Sequence, residues 1–209
     1  MRLIQIGAGG FGRSWAELAA RAPEVELVAV VDPDAAARAW AGAALGLPPA
    51  AVVAAPDEAF VRFDADAVLI VTPPPTHHPL TLAALAAGRH VLLEKPLATS
   101  LAEAREMIAV ADRAGRMLMV SQNYRVRPAA RAAREIVRSG ALGDLAAIKI
   151  QFRGDTRALW PADNFRYAMP HPLVLDMAIH HADLLRSVTG QEAATVYARG
   201  WRVPDSPYV

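Results

Sequence analysis

Three ionisable residues near the end of the chain have spacings that place them on one face of a helix. Asp176, His180 and Asp183 lie four and three residues apart in the otherwise apolar segment "LVLDMAIHHADLL", and side chains at these spacings are neighbours on an α-helix. A histidine titrates near neutral pH, so it can take up and release a proton during a reaction. Because carboxylates are costly to bury in an apolar helix, we expect them to be paired or functional.

A metal site and a purely structural role are the alternatives for this helix. Asp176 and His180 could ligate zinc, but no third ligand with a clear spacing follows, and we predict no metal site. His180 could also be a buried histidine with a structural hydrogen bond. His181 points about 100° away from the shared face.

Two charged residues, Glu94 and Lys95, lie in the segment "HVLLEKPLATS", directly after an apolar run. Burying charge at the exit of an apolar strand is costly, so these residues call for an explanation. Pro96 restricts Lys95 to extended backbone geometry. One explanation is a surface ion pair of Glu94 and Lys95 at the end of a strand.

The segment "IGAGGFG" contains the pattern GxGxxG between an apolar run and a helical segment, which is the context of a dinucleotide-binding turn. Gly7 permits the tight turn, Gly9 lets the backbone approach a pyrophosphate, and Gly12 lets the helix pack close to the strand. The free N–H groups of the helix N-terminus then face the phosphates. A glycine turn without a ligand and a methyltransferase turn are the alternatives.

Asp32 lies 20 residues after Gly12, at the end of the second apolar run. A carboxylate there accepts hydrogen bonds from the adenosine ribose and repels a 2′-phosphate, so the sequence favours NAD over NADP. Arg38 follows on the next predicted helix and does not replace this carboxylate.

The loop "TPPPTHH" follows a third apolar run. Its prolines stiffen the backbone, and Thr72 and His77 can offer hydrogen bonds near a nicotinamide. The alternative is a stiff loop in which Thr76 caps the next helix. Ligands gather at the carboxyl ends of parallel strands, and the glycine turn, this loop and Lys95 all follow predicted strands.

Short apolar runs alternate with helical segments over the first 122 residues. The runs are continuously apolar, as expected for a parallel sheet that is covered on both faces. We therefore predict an α/β fold, a doubly wound Rossmann domain over residues 1–122. Its predicted strands cover 2–6, 25–31, 66–71, 89–93 and 116–122, and a helix follows each of them.

Residues 123–209 are predicted to form the start of a second domain. Strands are expected over 145–154 and 194–203, and one helix over 173–190. These strands are too few for a stable sheet, so we expect this domain to be truncated. Arg153, at the end of the first of these strands, and Arg157, Trp160 and Arg166, in the irregular segment that follows it, could bind hydroxyl or carboxylate groups; the alternative is a surface loop.

The composition excludes several classes of protein. The chain has 209 residues with 22 basic and 21 acidic side chains, and a net charge of +1 gives no electrostatic argument for nucleic acid or an anionic membrane. Without cysteine, it can form no disulfide and no thiolate site. No apolar run is long enough to span a bilayer, and the N-terminus has no signal-peptide pattern. We expect a cytoplasmic protein.

Together these motifs resemble the Gfo/Idh/MocA family of oxidoreductases. The resemblance rests on "IGAGGFG", "VVDPD", "TPPPTHHPLTLAALAAGRHVLLEKPLATS", "SQNYRVRP" and "LDMAIHHADLLRSVTG". It implies an NAD(P)-dependent enzyme whose second domain is α+β with an open-faced mixed sheet, and which assembles as a dimer or tetramer. It also implies a cis Lys95–Pro96 peptide. Ala178 departs from the family, which often has glycine there, and relatives are considerably longer.

The resemblance also assigns the site residues. The catalytic residues are Lys95, Asp176 and His180. The cofactor-binding residues are Gly7, Ala8, Gly9, Gly10, Phe11, Gly12, Asp32, Thr72, Pro73, His77, Glu94, Lys95 and Gln122. The residues expected near the substrate are Asn123, Tyr124, Arg125, Arg166 and His181.

The expected reaction is hydride transfer between the nicotinamide and a secondary alcohol of a sugar, polyol or inositol. One alternative is another reaction of the same family, through a transient oxidation or by reduction of an imine or carbonyl compound. A second alternative is a non-catalytic NAD-binding regulatory protein, although such a protein has no need of Lys95, Asp176 and His180.

Overall fold

Six strands of the N-terminal half form one parallel sheet in the order β3-β2-β1-β4-β5-β6. The strands are β1 (Arg2–Ile6), β2 (Glu26–Val31), β3 (Val52–Val53), β4 (Ala67–Ile70), β5 (His90–Glu94) and β6 (Leu118–Ser121). The strand order reverses between β1 and β4, and such a switch point opens a crevice at the carboxyl ends of the strands. The predicted doubly wound Rossmann architecture is thereby confirmed.

This computed structural model describes residues 1–153 and 164–201. The chain divides into two units, Met1–Ser121 and Gln122–Val209. In the part of the chain that the structure describes, no helix is both long and apolar enough to cross a membrane.

Five helices connect the strands of the first unit. They are α1 (Gly10–Arg21), α2 (Ala35–Leu45), α3 (Pro56–Arg62), α4 (His77–Ala86) and α5 (Leu101–Ala114). Local sequence explains the ends of α2 and α5. Asp34 and Ser100 accept hydrogen bonds from the first turns, and Gly46 and Gly115 close the helices in the left-handed conformation.

The core of the first unit consists of aliphatic side chains on both faces of the sheet. Alternate strand residues point to opposite faces; thus Ile4 and Leu93 belong to the larger cluster, whereas Leu3 and Leu69 belong to the smaller one beside α1. Alanines at the buried positions of α1 and α2 let these helices approach the sheet closely.

β3 and α3 have no counterpart among the predicted elements. A two-residue strand has no periodicity to detect. The start of α3 did carry signals, because Pro56 stands at its first position and Asp57 and Glu58 lie in its first turn.

The described residues of the second unit form two α-helices, α6 (Pro128–Arg138) and α7 (Ile179–Thr189), which pack on each other. One stretch of π-helix, Leu173–Ala178, leads into α7. The helix predicted over 173–190 is therefore present but begins in π geometry. It ends as expected, since Gly190 adopts the left-handed conformation.

The strands predicted over 145–154 and 194–203 are wrong for the residues that the structure describes. Residues 145–153 and 194–201 are irregular. A strand is stable only when a neighbouring strand takes up its backbone hydrogen bonds, and the described residues of this unit contain no strand that could do so.

Candidate functional site

The glycine turn after β1 is shaped by two contacts that only glycine allows. Gly7 has a φ of 97°, and a Cβ atom there would lie 2.1 Å from the carbonyl oxygen of Val71. A Cβ on Gly12 would lie 2.4 Å from the carbonyl oxygen of Gly7. By contrast, a Cβ on Gly9 or Gly10 would meet no atom within 4 Å. The turn is thus tightly packed at Gly7 and Gly12, and it is open at Gly9 and Gly10. The open side leaves room for a pyrophosphate close to the backbone.

Gln5 is a site residue that the sequence interpretation missed. Its side chain is fully buried, and its Nε2 donates hydrogen bonds to the carbonyl oxygens of Gly7 (2.8 Å) and Gly12 (2.7 Å). One amide group therefore ties the beginning of the turn to the first residues of α1. The available signal was a polar residue inside the apolar run that precedes the turn.

Asp32 lies at the end of β2 and is joined to the same turn. Its Oδ2 accepts a hydrogen bond from the backbone N–H of Ala8 (2.7 Å), and its Oδ1 accepts one from that of Asp34 (2.9 Å). Each carboxylate oxygen has two lone pairs, so both can still accept a ribose hydroxyl. Arg38 lies nearby and donates from Nη1 to the carbonyl oxygens of Asp32 and Pro33, each at 2.8 Å.

The loop between β4 and α4 is fixed by its own hydrogen bonds. Thr76 donates from its hydroxyl to the carbonyl oxygen of Pro73 (2.8 Å), and its Oγ1 lies 2.6 Å from Thr72 Oγ1, whose own hydroxyl can donate to it. Thr76 holds the position before α4, but its side chain makes no capping bond to the helix. His77 is fully buried, and its two ring nitrogens lie near the carbonyl oxygens of Pro96 and Thr72.

Glu94, at the end of β5, is buried beneath α1. Its Oε1 accepts a hydrogen bond from the indole N–H of Trp15 (2.8 Å), and its Oε2 accepts one from the backbone N–H of Lys95 (3.2 Å). Lys95 itself is half-buried. The Lys95–Pro96 peptide is cis, as the resemblance implied. Trp15 is a second residue that the sequence interpretation missed.

In the carboxylate–histidine helix of the second unit, three ionisable side chains are buried, whereas several apolar side chains at its start are exposed. Asp176, His180 and Asp183 are all buried, so the predicted shared face exists despite the π-helical turn. Leu173 and Val174 are exposed by 60% and 58%. Hydrophobicity alone predicts the opposite orientation, because apolar side chains normally occupy the buried face of a helix.

Each buried carboxylate has an arginine partner. Asp176 Oδ2 accepts a hydrogen bond from Arg166 Nε at 2.9 Å. Asp183 receives two hydrogen bonds from Arg125, one of them from Nε at 2.9 Å. The hydrogen bonds and the charge of Asp183 raise the pKa of Arg125 above its usual value. Arg125 and Arg166, which were expected near the substrate, here neutralise buried carboxylates, and this pairing explains how the helix tolerates them.

His180 belongs to a stack of three side chains. Its ring is parallel to that of Tyr124, with a centroid distance of 4.1 Å and an interplanar angle of 9°. The guanidinium carbon of Arg127 lies 3.8 Å from the centroid of the same Tyr124 ring. Two groups this close to one ring centroid must occupy opposite faces, so Tyr124 separates the cation of Arg127 from His180. The plane of the His180 ring is thereby fixed.

The remaining predicted residues of the second unit have fewer contacts. Asn123 is exposed, and His181 lies 5.9 Å from Phe152 between ring centroids, away from the face of His180. The side-chain oxygen of Gln122 is buried without a hydrogen-bond partner among the described residues. Arg157 and Trp160 lie outside the residues that the structure describes.

Possible metal ligands do not cluster within 1–153 and 164–201, where no group of three His, Asp or Glu side chains could hold a metal ion. Asp176 and Asp183 flank His180 in the sequence, but each faces an arginine. Both carboxylates are thus engaged with arginines, and the three described side chains form no shared ligand set.

A family model described as "Oxidoreductase family, NAD-binding Rossmann fold" matches residues 1–122, and one described as "GFO/IDH/MocA C-terminal domain" matches residues 130–207. The chain belongs to the Gfo/Idh/MocA oxidoreductase family. The resemblance that the motifs indicated is confirmed.

Two relatives of this chain are named as an inositol dehydrogenase and an anhydrosugar reductase. The chain is 33% identical over 201 residues to an inositol 2-dehydrogenase of an Arthrobacter species, covering 95% of this chain and 57% of that protein. It is 33% identical over 199 residues to a 1,5-anhydro-D-fructose reductase of Ensifer adhaerens, covering 92% of this chain and 58% of that protein. The chain therefore spans little more than half the length of these relatives.

A solved structure of another family member has the same fold. The scyllo-inositol dehydrogenase of Lactobacillus casei, crystallised with NAD(H) and scyllo-inositol, is 26% identical and superposes with a TM-score of 0.77. The match covers 92% of this chain and 57% of that one.

Proposed function

We propose that this protein binds NAD and transfers a hydride between the nicotinamide and a secondary alcohol of a sugar, polyol or inositol. The observation that carries the proposal is the glycine turn. Hydrogen bonds from Gln5 and to the Asp32 carboxylate hold its backbone in shape. The turn is open on the side of Gly9 and Gly10. A turn whose shape is fixed by hydrogen bonds within the protein is preorganised for binding a ligand.

The substrate class is supported by the named relatives. The inositol 2-dehydrogenase and the 1,5-anhydro-D-fructose reductase both align over more than nine tenths of this chain. These names share one chemistry, the interconversion of a secondary alcohol and a ketone on a hydroxylated ring. We propose further that residues 1–122 form the cofactor domain and that residues 123–209 belong to the substrate domain.

Three residues of this chain have the chemistry that the reaction needs. His180 acts as the general base that takes the hydroxyl proton, and its ring is held in plane by Tyr124. Asp176, itself held by Arg166, orients the base or the substrate hydroxyl. Lys95 stabilises the alkoxide that develops as the proton leaves. When bound, the nicotinamide supplies the hydride acceptor or donor.

The cofactor preference is a prediction that depends on Asp32. Replacing Asp32 by serine removes the negative charge that repels a 2′-phosphate, while Arg38 remains beside the same stretch of backbone. We expect the ratio of NADP to NAD affinity to rise by an order of magnitude, which requires only about 1.4 kcal/mol. The affinity for NAD falls as well, because Ala8 N–H loses its acceptor. Titration of both cofactors against the purified variant measures this ratio.

Asp34→Asn is the matched control for this variant. It also removes one negative charge close to the turn, but asparagine caps α2 as well as aspartate does. An equal change of the cofactor ratio in both variants would show that Asp32 has no special part in the selection.

The proposed function is tested by assaying the natural gene product with NAD and a panel of inositols, sugars and polyols. Formation of NADH that depends on one polyol is the expected result. Saturable NAD binding without oxidation of any polyol, together with reduction of an imine or carbonyl compound, would redirect the proposal to the family's other chemistry. NAD binding with no turnover of any kind would favour a regulatory NAD-binding protein.

A further inference from the structure

His77 makes two contacts that a neutral histidine cannot satisfy together. Its Nδ1 lies 2.7 Å from the carbonyl oxygen of Pro96, and its Nε2 lies 2.9 Å from the carbonyl oxygen of Thr72. Its side chain is completely buried, so water cannot substitute for either contact. Both distances are those of good hydrogen bonds.

The number of N–H protons on the His77 ring decides whether both contacts can be hydrogen bonds. Carbonyl oxygens only accept hydrogen bonds, whereas a neutral imidazole has one N–H donor and one nitrogen lone pair. In the neutral form, one of the two contacts therefore opposes a lone pair to a carbonyl oxygen. The imidazolium form has an N–H on each nitrogen and satisfies both carbonyls. Turning the ring over would replace both N–H groups by C–H groups and lose both bonds.

The two carbonyl groups belong to loops that follow neighbouring strands. Thr72 follows β4, and Pro96 follows β5, which is paired with β4 in the sheet. His77 is the first residue of α4. Its ring therefore joins the loop after β4 to the carbonyl group of Pro96, the residue that follows Lys95.

The surroundings of the ring contain charged groups that are engaged with other partners. On β5, Glu94 accepts hydrogen bonds from Trp15 and from the backbone of Lys95. On α5, Glu106 pairs with His78, and Glu103 accepts hydrogen bonds from Thr99. Complete burial without a paired carboxylate among the described residues disfavours a cation, and so does the N-terminus of α4. The two carbonyl dipoles that point at the ring act in the opposite direction, and they are in direct contact with it.

We propose that His77 is a proton-dependent clamp that positions Lys95. With two protons, His77 holds the loop after β4 and the Lys95–Pro96 segment together. With one proton, it keeps one of these bonds and loses the other. The clamp is inferred from the two hydrogen-bonding distances of the His77 ring. Its consequence for catalysis rests on the role proposed above for Lys95. His77 is thus a positioning residue.

The clamp itself is tested without any assay of activity. In protein with ¹⁵N-labelled histidine, NMR reports how many protons each ring nitrogen carries, and spectra are compared between about pH 5 and pH 8. We expect the cationic form of His77 to show two ring N–H protons that exchange slowly with water. The signal is assigned through bonds in the wild type, and it is expected to disappear in His77→Gln and to persist in His78→Gln.

The result that would overturn the clamp is clear in these spectra. If His77 carries a single N–H throughout this range while the protein stays folded, no doubly protonated clamp exists. The same conclusion follows if its two N–H protons exchange as rapidly as those of the half-exposed His78. Because the wild-type protein gives this answer, the test does not depend on a variant that folds.

The effect on Lys95 is tested by kinetics of the full-length protein. A glutamine at position 77 can donate to one carbonyl group but cannot reach both, so Lys95 loses its fixed position. We expect kcat to fall by a factor on the order of 10² with little change in the NAD Kd, since small misplacements of a catalytic group have such effects. His78→Gln is expected to retain the wild-type kcat. A wild-type kcat in a folded His77→Gln would overturn the positioning role, whereas a wild-type protein that oxidises no polyol would instead refute the proposed function.

Discussion

Replacing Lys95 by methionine is expected to lower kcat by a factor of roughly 10²–10³, the usual effect of removing a group that stabilises a developing oxyanion. Methionine keeps most of the length and volume of lysine but has no charge and no N–H donor. Lys95 lies next to Glu94, whose carboxylate is held by the indole of Trp15. The glycine turn does not depend on the ammonium group, so the NAD Kd is expected to change little. Stopped-flow measurement of NADH formation, together with NAD titration, separates the two effects.

The chain provides a matched control, because its only other lysine is Lys149. Lys149 is exposed in an irregular segment of the second unit. Lys149→Met removes the same charge from the protein and is expected to leave both kcat and the NAD Kd unchanged. A Lys95→Met protein with normal turnover would remove Lys95 from the catalytic group, and one that no longer binds NAD would show that the cofactor-binding role, which the resemblance also assigns to Lys95, is the dominant one.

Local patterns were sufficient to predict the first unit. The continuous apolar runs predicted five of its six strands, and the glycine turn marked the point where β1 passes into α1. Each of these signals lies within a few residues of the structure that it specifies. β3 was missed because two residues carry no period, although it pairs with β2 and closes one edge of the sheet.

Long-range pairing explains what the sequence left undetermined in the second unit. Asp183 is paired with Arg125, which lies 58 residues earlier, and no local pattern links the two. The strands predicted over 145–154 and 194–203 have apolar patterns that suit a strand. They remain irregular in the described residues, since a strand depends on neighbours that can lie far away in the sequence.

Four buried polar side chains of the first unit share one function in the fold. Gln5, Asp32, His77 and Glu94 are each at most 8% exposed, and each binds backbone groups of a loop that follows a strand. Burying a polar group is unfavourable unless it is hydrogen-bonded, so these residues specify the loop conformations more strictly than apolar packing would. The loops that are proposed to hold the cofactor are therefore fixed by buried polar side chains of the strands, of the strand ends and of α4.

Gly12→Ala is the second substitution from which we expect a large effect. The new methyl group would lie 2.4 Å from the carbonyl oxygen and 2.9 Å from the carbonyl carbon of Gly7, and both are backbone atoms that cannot rotate away. Overpacking of this kind typically costs about 1–3 kcal/mol. If this strain is relieved by shifting the turn, the NAD Kd rises by roughly 5- to 140-fold. Isothermal titration with NAD measures the change, and thermal unfolding measures any loss of stability.

Gly42→Ala separates the effect on the turn from the general effect of a glycine-to-alanine change. Gly42 lies inside α2, and a Cβ there would have only one neighbour within 4 Å, the carbonyl oxygen of Leu47 at 3.9 Å. Alanine is the better helix former by about 0.8–1.0 kcal/mol, so this variant should unfold at a higher temperature and bind NAD normally. A Gly12→Ala protein with the NAD affinity of Gly42→Ala would mean that the close contact between Gly12 and Gly7 does not define the cofactor site. A raised Kd in Gly12→Ala alone would locate the pyrophosphate at this turn, because the two variants differ in the position of one methyl group.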